Sequence, residues 1–130
     1  MRHMEKTEEE QILETISELR MLSSNEYLVF KMLFHSKHAL TAKGVQKAIT
    51  YYLLRRYGNQ EENLEFRPVN DLLKLARNYK LAPPSDLTIK NCLDRLISQG
   101  LVEKRLLAES GRANALYFLS EKYTTRMVKK

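Results

Sequence analysis

Apolar residues recur every three or four positions in five stretches of the chain, a spacing that predicts five amphipathic helices. Capping boxes, in which a hydroxyl and a glutamate three residues later satisfy free backbone N–H groups, predict the first two starts, at Thr7 and Ser23. Thr41 and Ser85 are predicted caps of two further helices, and Pro68 suits the first turn of another. The predicted helices cover residues 8–22, 24–35, 42–57, 68–79 and 85–99.

The pattern changes after Gly100 to that of two strands joined by a turn. These elements are predicted over residues 101–108, 110–114 (the turn) and 115–119. Within the turn, Gly111 or Asn114 is expected to take the positive φ that a tight hairpin demands, which leaves Arg112 exposed at the tip. Leu40 is expected to begin a short additional strand earlier in the chain.

The helix predicted at 85–99 divides into an apolar and a polar face. The apolar face holds Ile89, Cys92, Leu93, Leu96 and Ile97. The opposite side holds Leu87, Asn91, Asp94 and Ser98, flanked by Lys90 and Arg95. Asparagine can read adenine and arginine can read guanine in the major groove of DNA, whereas Asp94 opposes DNA contact near its position unless a neighbouring arginine holds it. An amphipathic surface helix without a ligand is the alternative.

The run TIKNCLDRLISQGLV, which begins at Thr88, resembles the recognition-helix signature of MarR-type winged helix-turn-helix regulators. The likeness covers about residues 68–120 and implies a helix in the major groove followed by a β-hairpin wing. The DNA-contacting residues implied by this resemblance are Thr88, Lys90, Asn91, Arg95 and, at the tip of the wing, Arg112.

The middle of the chain departs from a minimal winged helix, which has one helix before the recognition helix where this chain has two. Residues 72–77 resemble the scaffold helix of that unit, but the sequence leaves open whether 42–57 or 68–79 has this role. The winged-helix domain of archaeal origin-recognition initiators has a similarly long middle segment.

Charge is distributed unevenly along the 130 residues, whose net charge is +6. Residues 1–26 contain three of the 22 basic and seven of the 16 acidic side chains, a net of −4. The 19 basic and nine acidic side chains that remain give residues 27–130 a net charge of +10. Such an excess favours a polyanionic partner, although a solvated basic surface is the plainer interpretation.

The sequence contains no pattern of catalytic residues. Three histidines and one cysteine provide no set of metal ligands, and His35 with His38 would supply two ligands at most. Cys92 lies on an apolar helix face, so we expect neither a disulfide nor a redox role. Tyr51, Tyr52 and Tyr57 are expected to line the core or a dimer seam rather than to stack on single-stranded bases.

We therefore predict a mainly α (α+β) fold, a winged helix-turn-helix with a C-terminal β-hairpin wing and an additional N-terminal helix. Residues 1–22 form the N-terminal amphipathic helix, with 1–3 a vector-derived leader, 23–120 the winged-helix domain and 121–130 a basic tail. We expect a cytoplasmic, non-enzymatic homodimer without a metal, a cofactor or a membrane span.

The predicted function is sequence-specific binding of double-stranded DNA by a transcriptional regulator. The alternatives are a winged-helix protein–protein adaptor and a replication or plasmid-maintenance factor. The predicted DNA-binding residues are Ser85, Thr88, Lys90, Asn91, Arg95, Lys104, Arg105, Arg112 and Asn114.

Overall fold

A computed structural model describes residues 7–36, 38–58, 64–109 and 112–121 of the chain. This part of the protein is mainly helical, with one two-stranded antiparallel hairpin. The helices are α1 (Glu8–Arg20), α2 (Ser24–His35), α3 (Ala42–Tyr57), α4 (Val69–Asn78) and α5 (Asp86–Ser98). A single 3-10 turn at Leu64–Phe66 precedes α4, and the strands are β1 (Val102–Glu109) and β2 (Arg112–Leu119).

Side-chain caps begin four of the five helices, as the sequence predicts. The hydroxyls of Thr7, Ser23, Thr41 and Ser85 each accept a hydrogen bond from the backbone N–H three residues on. At Ser23 the box is reciprocal, because a carboxylate oxygen of Glu26 also accepts from the Ser23 N–H at 2.9 Å. The limits of these helices are therefore set by local chemistry.

Two predicted helix ends are wrong by a few residues. The first helix ends at Arg20 because Met21 adopts a left-handed conformation, with φ of 54°, and caps it. Leu19, next to the last residue of this helix, is 77% exposed. Pro68 is the residue before α4 rather than part of its first turn, and its carbonyl accepts the first backbone hydrogen bonds of that helix.

The main hydrophobic core joins α2, α3, α5 and the hairpin. Phe30, Ile49 and Leu93 are fully buried in it, one from each of the three helices. Leu13 of α1 is also fully buried there, so the N-terminal helix packs on the domain. Four of the five side chains on the predicted apolar face of α5 have no exposed surface and Ile97 is half-buried, which confirms that face.

The hairpin is longer and its turn shorter than predicted. The ladder continues to the pair Glu109 and Arg112, which leaves only residues 110–111 between the strands, and these two lie outside the described part. The predicted turn at 110–114 is therefore wrong, and Arg112 and Asn114 belong to β2. Each added pair satisfies backbone groups that a longer turn would leave to water.

A single bridge attaches the segment before α3 to the hairpin. The Leu40 N–H donates to the Tyr117 carbonyl at 2.9 Å, and the Tyr117 N–H donates back to the Leu40 carbonyl at 2.8 Å. The predicted extra strand is thus reduced to one antiparallel pair.

A second, smaller cluster holds α4 against the C-terminal half of α3. Leu54, Leu64, Leu72 and Ala76 form it, and none of them has exposed surface. The two middle helices therefore occupy different positions, since α3 contributes to both clusters whereas the buried residues of α4 belong to the second. No helix in the described part of the chain is long and apolar enough to cross a membrane.

Candidate nucleic-acid interface

A groove of about 430 Å³ lies where the starts of α3 and α5 meet the middle of β2. Lys43 and Lys90 line it, Asn114 lies at its edge on β2, and Tyr117 forms part of its wall. Both helices present their N-termini here, with backbone N–H groups that have no partner within the helix. The partial positive charge of two helix starts and two lysines makes the groove suitable for an anion such as a phosphate.

One carboxylate opposes this charge. Asp86, the first residue of α5, also lines the groove, and its Oδ2 lies 3.3 Å from the Lys90 ammonium one turn later. Its Oδ1 is buried without a hydrogen-bond partner among the described residues. More than half of the Lys90 side chain is exposed, so this ion pair holds it weakly and leaves its ammonium able to turn towards a ligand.

Ser85 and Thr88, predicted to contact DNA, are occupied at the cap of α5. The Ser85 hydroxyl accepts from the Thr88 N–H at 3.2 Å and lies 3.0 Å from the Thr88 hydroxyl. These contacts fix the first turn of the helix. Asn91, by contrast, is exposed on the next turn, where its amide can reach a ligand.

Arg95, a predicted base-reading residue, forms an ion pair within the protein. Its guanidinium contacts the carboxylate of Glu26, at the start of α2, and its Nη2 lies 3.8 Å from the Cys92 sulfur. The carboxylate that pairs with Arg95 is therefore that of Glu26 and not that of the neighbouring Asp94, which is exposed. The predicted role of Arg95 in reading a base would thus require it to leave an ion pair that joins α2 to α5.

This contact and burial together shift the pKa values of Glu26 and Cys92. Burial acts to raise the pKa of Glu26, but the Ser23 N–H and the Arg95 guanidinium together outweigh it, and the pKa is lowered. Burial raises the pKa of the Cys92 thiol, more than the nearby Arg95 lowers it. Cys92 is accordingly a core residue with little thiolate character.

Replacing Glu26 by glutamine is expected to make the protein less sensitive to acid. A carboxylate whose pKa is lowered by folding stabilises the native state above its ordinary value of 4.5, and this contribution is lost as the pH falls through the lowered value. Urea unfolding across the acidic range measures the difference. Glu26→Gln should flatten the fall in stability below this pH relative to wild type. Equal slopes for Glu26→Gln and wild type would contradict the role of the pair.

The cations of the hairpin lie on two different faces. Lys104 pairs across the ladder with Tyr117, and its ammonium lies 6.0 Å from the centre of that ring, on the side of the groove. Arg105 lies 5.7 Å from the ring of Phe118 and lines a separate hollow on the other face. One ligand in the groove therefore cannot contact both directly.

Of the predicted site residues, Lys90 and Asn114 line the groove. Ser85 and Thr88 lie at the cap of α5, and Asn91 is the residue after Lys90 on that helix. The side chain of Arg112 lies outside the described residues, although its backbone begins β2. Sequence reasoning missed Lys43, whose signal was its position two residues after the cap Thr41, in the first turn of a helix.

Comparison with known proteins does not assign this chain to a family. No family model matches the chain, and no curated protein or solved structure is significantly similar to it. Within the described residues, no group of three or more His, Cys, Asp or Glu side chains could hold a metal ion.

Proposed function

We propose that the protein is a sequence-specific double-stranded DNA-binding protein, a transcriptional regulator with a winged-helix fold. The groove between Lys43, Lys90 and Asn114 carries this proposal, because it joins two helix N-termini, two lysines and one face of a hairpin. In this proposal α5 enters the major groove, and the hairpin β1–β2 lies along the backbone or the minor groove.

The order and packing of the elements support a winged helix. Three helices, α2, α3 and α5, share the main core with the hairpin, and Leu40 pairs with the second strand of the hairpin. In this interpretation α3 is the scaffold helix, since it packs against α5 in that core. The helix α4, whose sequence resembles a scaffold helix, is then an addition that packs on the far end of α3.

The charge of the chain supports a polyanion as the partner. Residues 27–130 have a net charge of +10, and Lys43, Lys90 and Lys104 all lie at the groove or on the hairpin face beside it. Phosphate contacts of this kind supply much of the affinity for DNA and make it depend on salt. We further propose a homodimer, to which the exposed Leu19 and Met21 at the end of α1 would contribute apolar surface.

A winged-helix adaptor that binds a protein is the second candidate. Leu87 is 68% exposed on the outward side of α5, and Asp94 is exposed on the same helix, which suits a protein surface better than phosphates. The two candidates differ in the ratio of affinities for a selected genomic fragment and for random duplex. A regulator should give a ratio of about a thousand or more at physiological salt, and an adaptor a ratio near one.

Replacing Asn91 by alanine is expected to weaken binding to a selected duplex by about 1–3 kcal/mol and to relax its sequence preference. The exposed amide on the second turn of α5 is the side chain best suited to reading an adenine there. Titration of labelled duplex fragments, selected and random, measures both effects. Ser98→Ala is the matched control, because its hydroxyl donates to the carbonyl of Arg95 at the far end of the same helix. If no duplex DNA binds the wild-type protein at low salt, the proposed function is wrong.

A further inference from the structure

The C-terminal end of α3 carries tyrosines that are each accompanied by a cation. The Arg55 guanidinium carbon lies 5.4 Å from the centre of the Tyr51 ring, and the Arg56 carbon lies 5.6 Å from that of Tyr57. The Lys31 ammonium, from α2, lies 4.8 Å from the centre of the Tyr52 ring. We call this the tyrosine–arginine surface, consisting of Tyr51, Tyr52, Arg55, Arg56, Tyr57 and Tyr79, with Lys31 at its margin.

Hydrogen bonds hold the cations beside the rings. Arg55 Nε donates to the Tyr51 hydroxyl at 3.2 Å, and Arg56 Nε donates to the Tyr57 hydroxyl at 3.1 Å. Arg55 also lies 3.6 Å from a carboxylate oxygen of Glu65, whereas the described partners of Arg56 are tyrosines. Arg56 is thus a cation without a described carboxylate beside it.

Tyr57 and Tyr79 are the exposed rings of this surface, at 61% and 45% of their full area. Gly58, the residue after Tyr57, lies against the Tyr79 ring, since a Cβ atom at that position would come within 2.8 Å of the ring. The absence of a side chain at Gly58 therefore lets the ring at the end of α4 lie against the end of α3. Tyr57 therefore presents its ring to solvent beside Arg56, and Tyr79 presents a second ring next to Gly58.

This surface is well separated from the groove. Tyr57 follows Lys43 by fourteen residues along α3, which at the helical rise of about 1.5 Å per residue is roughly 21 Å. A ligand of the tyrosine–arginine surface therefore binds independently of one in the groove, and the inference does not rest on the proposed function.

We propose that the tyrosine–arginine surface binds single-stranded nucleic acid. Exposed rings can stack on bases only where the bases are unstacked from their own neighbours, and adjacent cations take the phosphates that link them. A duplex exposes only the edges of its bases, so it would contact the arginines but could not stack on the rings. Rings paired with cations thus match a polyanion that also presents flat apolar faces, a combination that single-stranded DNA and RNA share.

Binding of fluorescent oligothymidylate and oligouridylate, followed by anisotropy at low salt, tests the proposal and separates DNA from RNA. Tyr57→Leu keeps an apolar side chain but removes the ring, and we expect it to weaken binding about 5- to 160-fold, because one stacked base contributes roughly 1–3 kcal/mol. Tyr57→Phe is the matched control, which keeps the ring but loses the hydroxyl that accepts from Arg56, and should weaken binding less than Tyr57→Leu. Arg56→Gln should reduce the salt slope by about 0.7.

The same variants titrated with duplex DNA distinguish this inference from the proposed function. Tyr57→Leu should bind duplex like wild type, because the ring is far from the groove, and should keep the wild-type unfolding temperature, because the ring is exposed. Absence of single-strand binding by the wild-type protein, or equal losses on single strands and duplex, would overturn the inference. So would competition by polyglutamate as effective as that by the oligonucleotide, which would indicate an acidic protein partner instead.

Discussion

Replacing Leu93 by alanine is expected to lower the free energy of unfolding by about 2–5 kcal/mol. Leu93 lies in the middle of α5, has no exposed surface, and packs in the core that α5 shares with α2 and α3. The loss combines the transfer of the side chain with the cavity that remains. A domain of this size has about 5–15 kcal/mol of stability in total, so a large part of it would be removed.

The control for Leu93→Ala is Leu72→Ala, which empties the same volume in the second cluster. Leu72 has no exposed surface either, but it belongs to α4 and packs against Leu54 and Leu64 rather than against α5. Urea unfolding followed by helix content gives the stability of each variant, and hydrogen exchange gives its distribution along the chain. We expect Leu93→Ala to raise exchange throughout the main core, and Leu72→Ala to raise it chiefly in α4 and the end of α3. If hydrogen exchange instead rises equally in both clusters in each variant, the two clusters unfold as one unit.

The helices were predictable because their signals are local. Apolar residues recur every three or four positions along α5, and with the cap Ser85 this spacing defines the buried side of that helix without reference to the rest of the chain. The same holds for α3, whose predicted limits, 42–57, agree with its observed limits. The period of a helix and the chemistry of its first turn depend on neighbours within four residues.

The contacts that were missed join distant parts of the chain. The hairpin turn was predicted too long because Gly111 and Asn114 are both turn formers, and only the pairing of Leu107 with Asn114 decides between them. Glu26 and Arg95 are 69 residues apart in the sequence, so nothing local indicates that they pair. From its neighbours alone, Glu26 is interpreted as part of a helix cap and Arg95 as an exposed arginine. Lys43 becomes a candidate site residue only when Lys90 and Asn114 are brought beside it.

The same reasoning explains how the tyrosines were interpreted. Tyr51 and Tyr52 are half-buried, and Tyr51 packs on the second cluster as expected, but Tyr57 is largely exposed, since it is the last residue of α3, where the core has ended. The helical period predicts which side of a helix is apolar, but it does not predict how far along the helix a neighbour covers it. Exposure at the end of a helix is therefore a property of the assembled fold.

Reversing the charge of both Lys43 and Lys90 to glutamate is expected to abolish duplex binding at physiological salt. The two ammonium groups line one groove with two helix N-termini, so two negative charges there would oppose phosphate and would remove two contacts. Because each phosphate contact contributes about 0.9 to the salt slope, neutral replacements of both should already lower that slope by about 1.8. Electrophoretic shift and anisotropy titrations of duplex over a range of salt measure both effects, with circular dichroism to verify that the variants fold.

Asp86→Asn provides the complementary test, because it should change binding in the opposite direction. The Asp86 carboxylate lines the groove and neutralises part of the charge of Lys90, so the amide should leave that lysine to a phosphate and tighten duplex binding. Lys74→Glu with Lys80→Glu, at two exposed lysines outside this groove, controls for the same change in net charge. If Lys43→Glu with Lys90→Glu weakens binding no more than this control, or if Asp86→Asn weakens it, the duplex does not occupy this groove. Binding would then have to come from the general excess of positive charge, which is the behaviour expected of the adaptor rather than of the regulator.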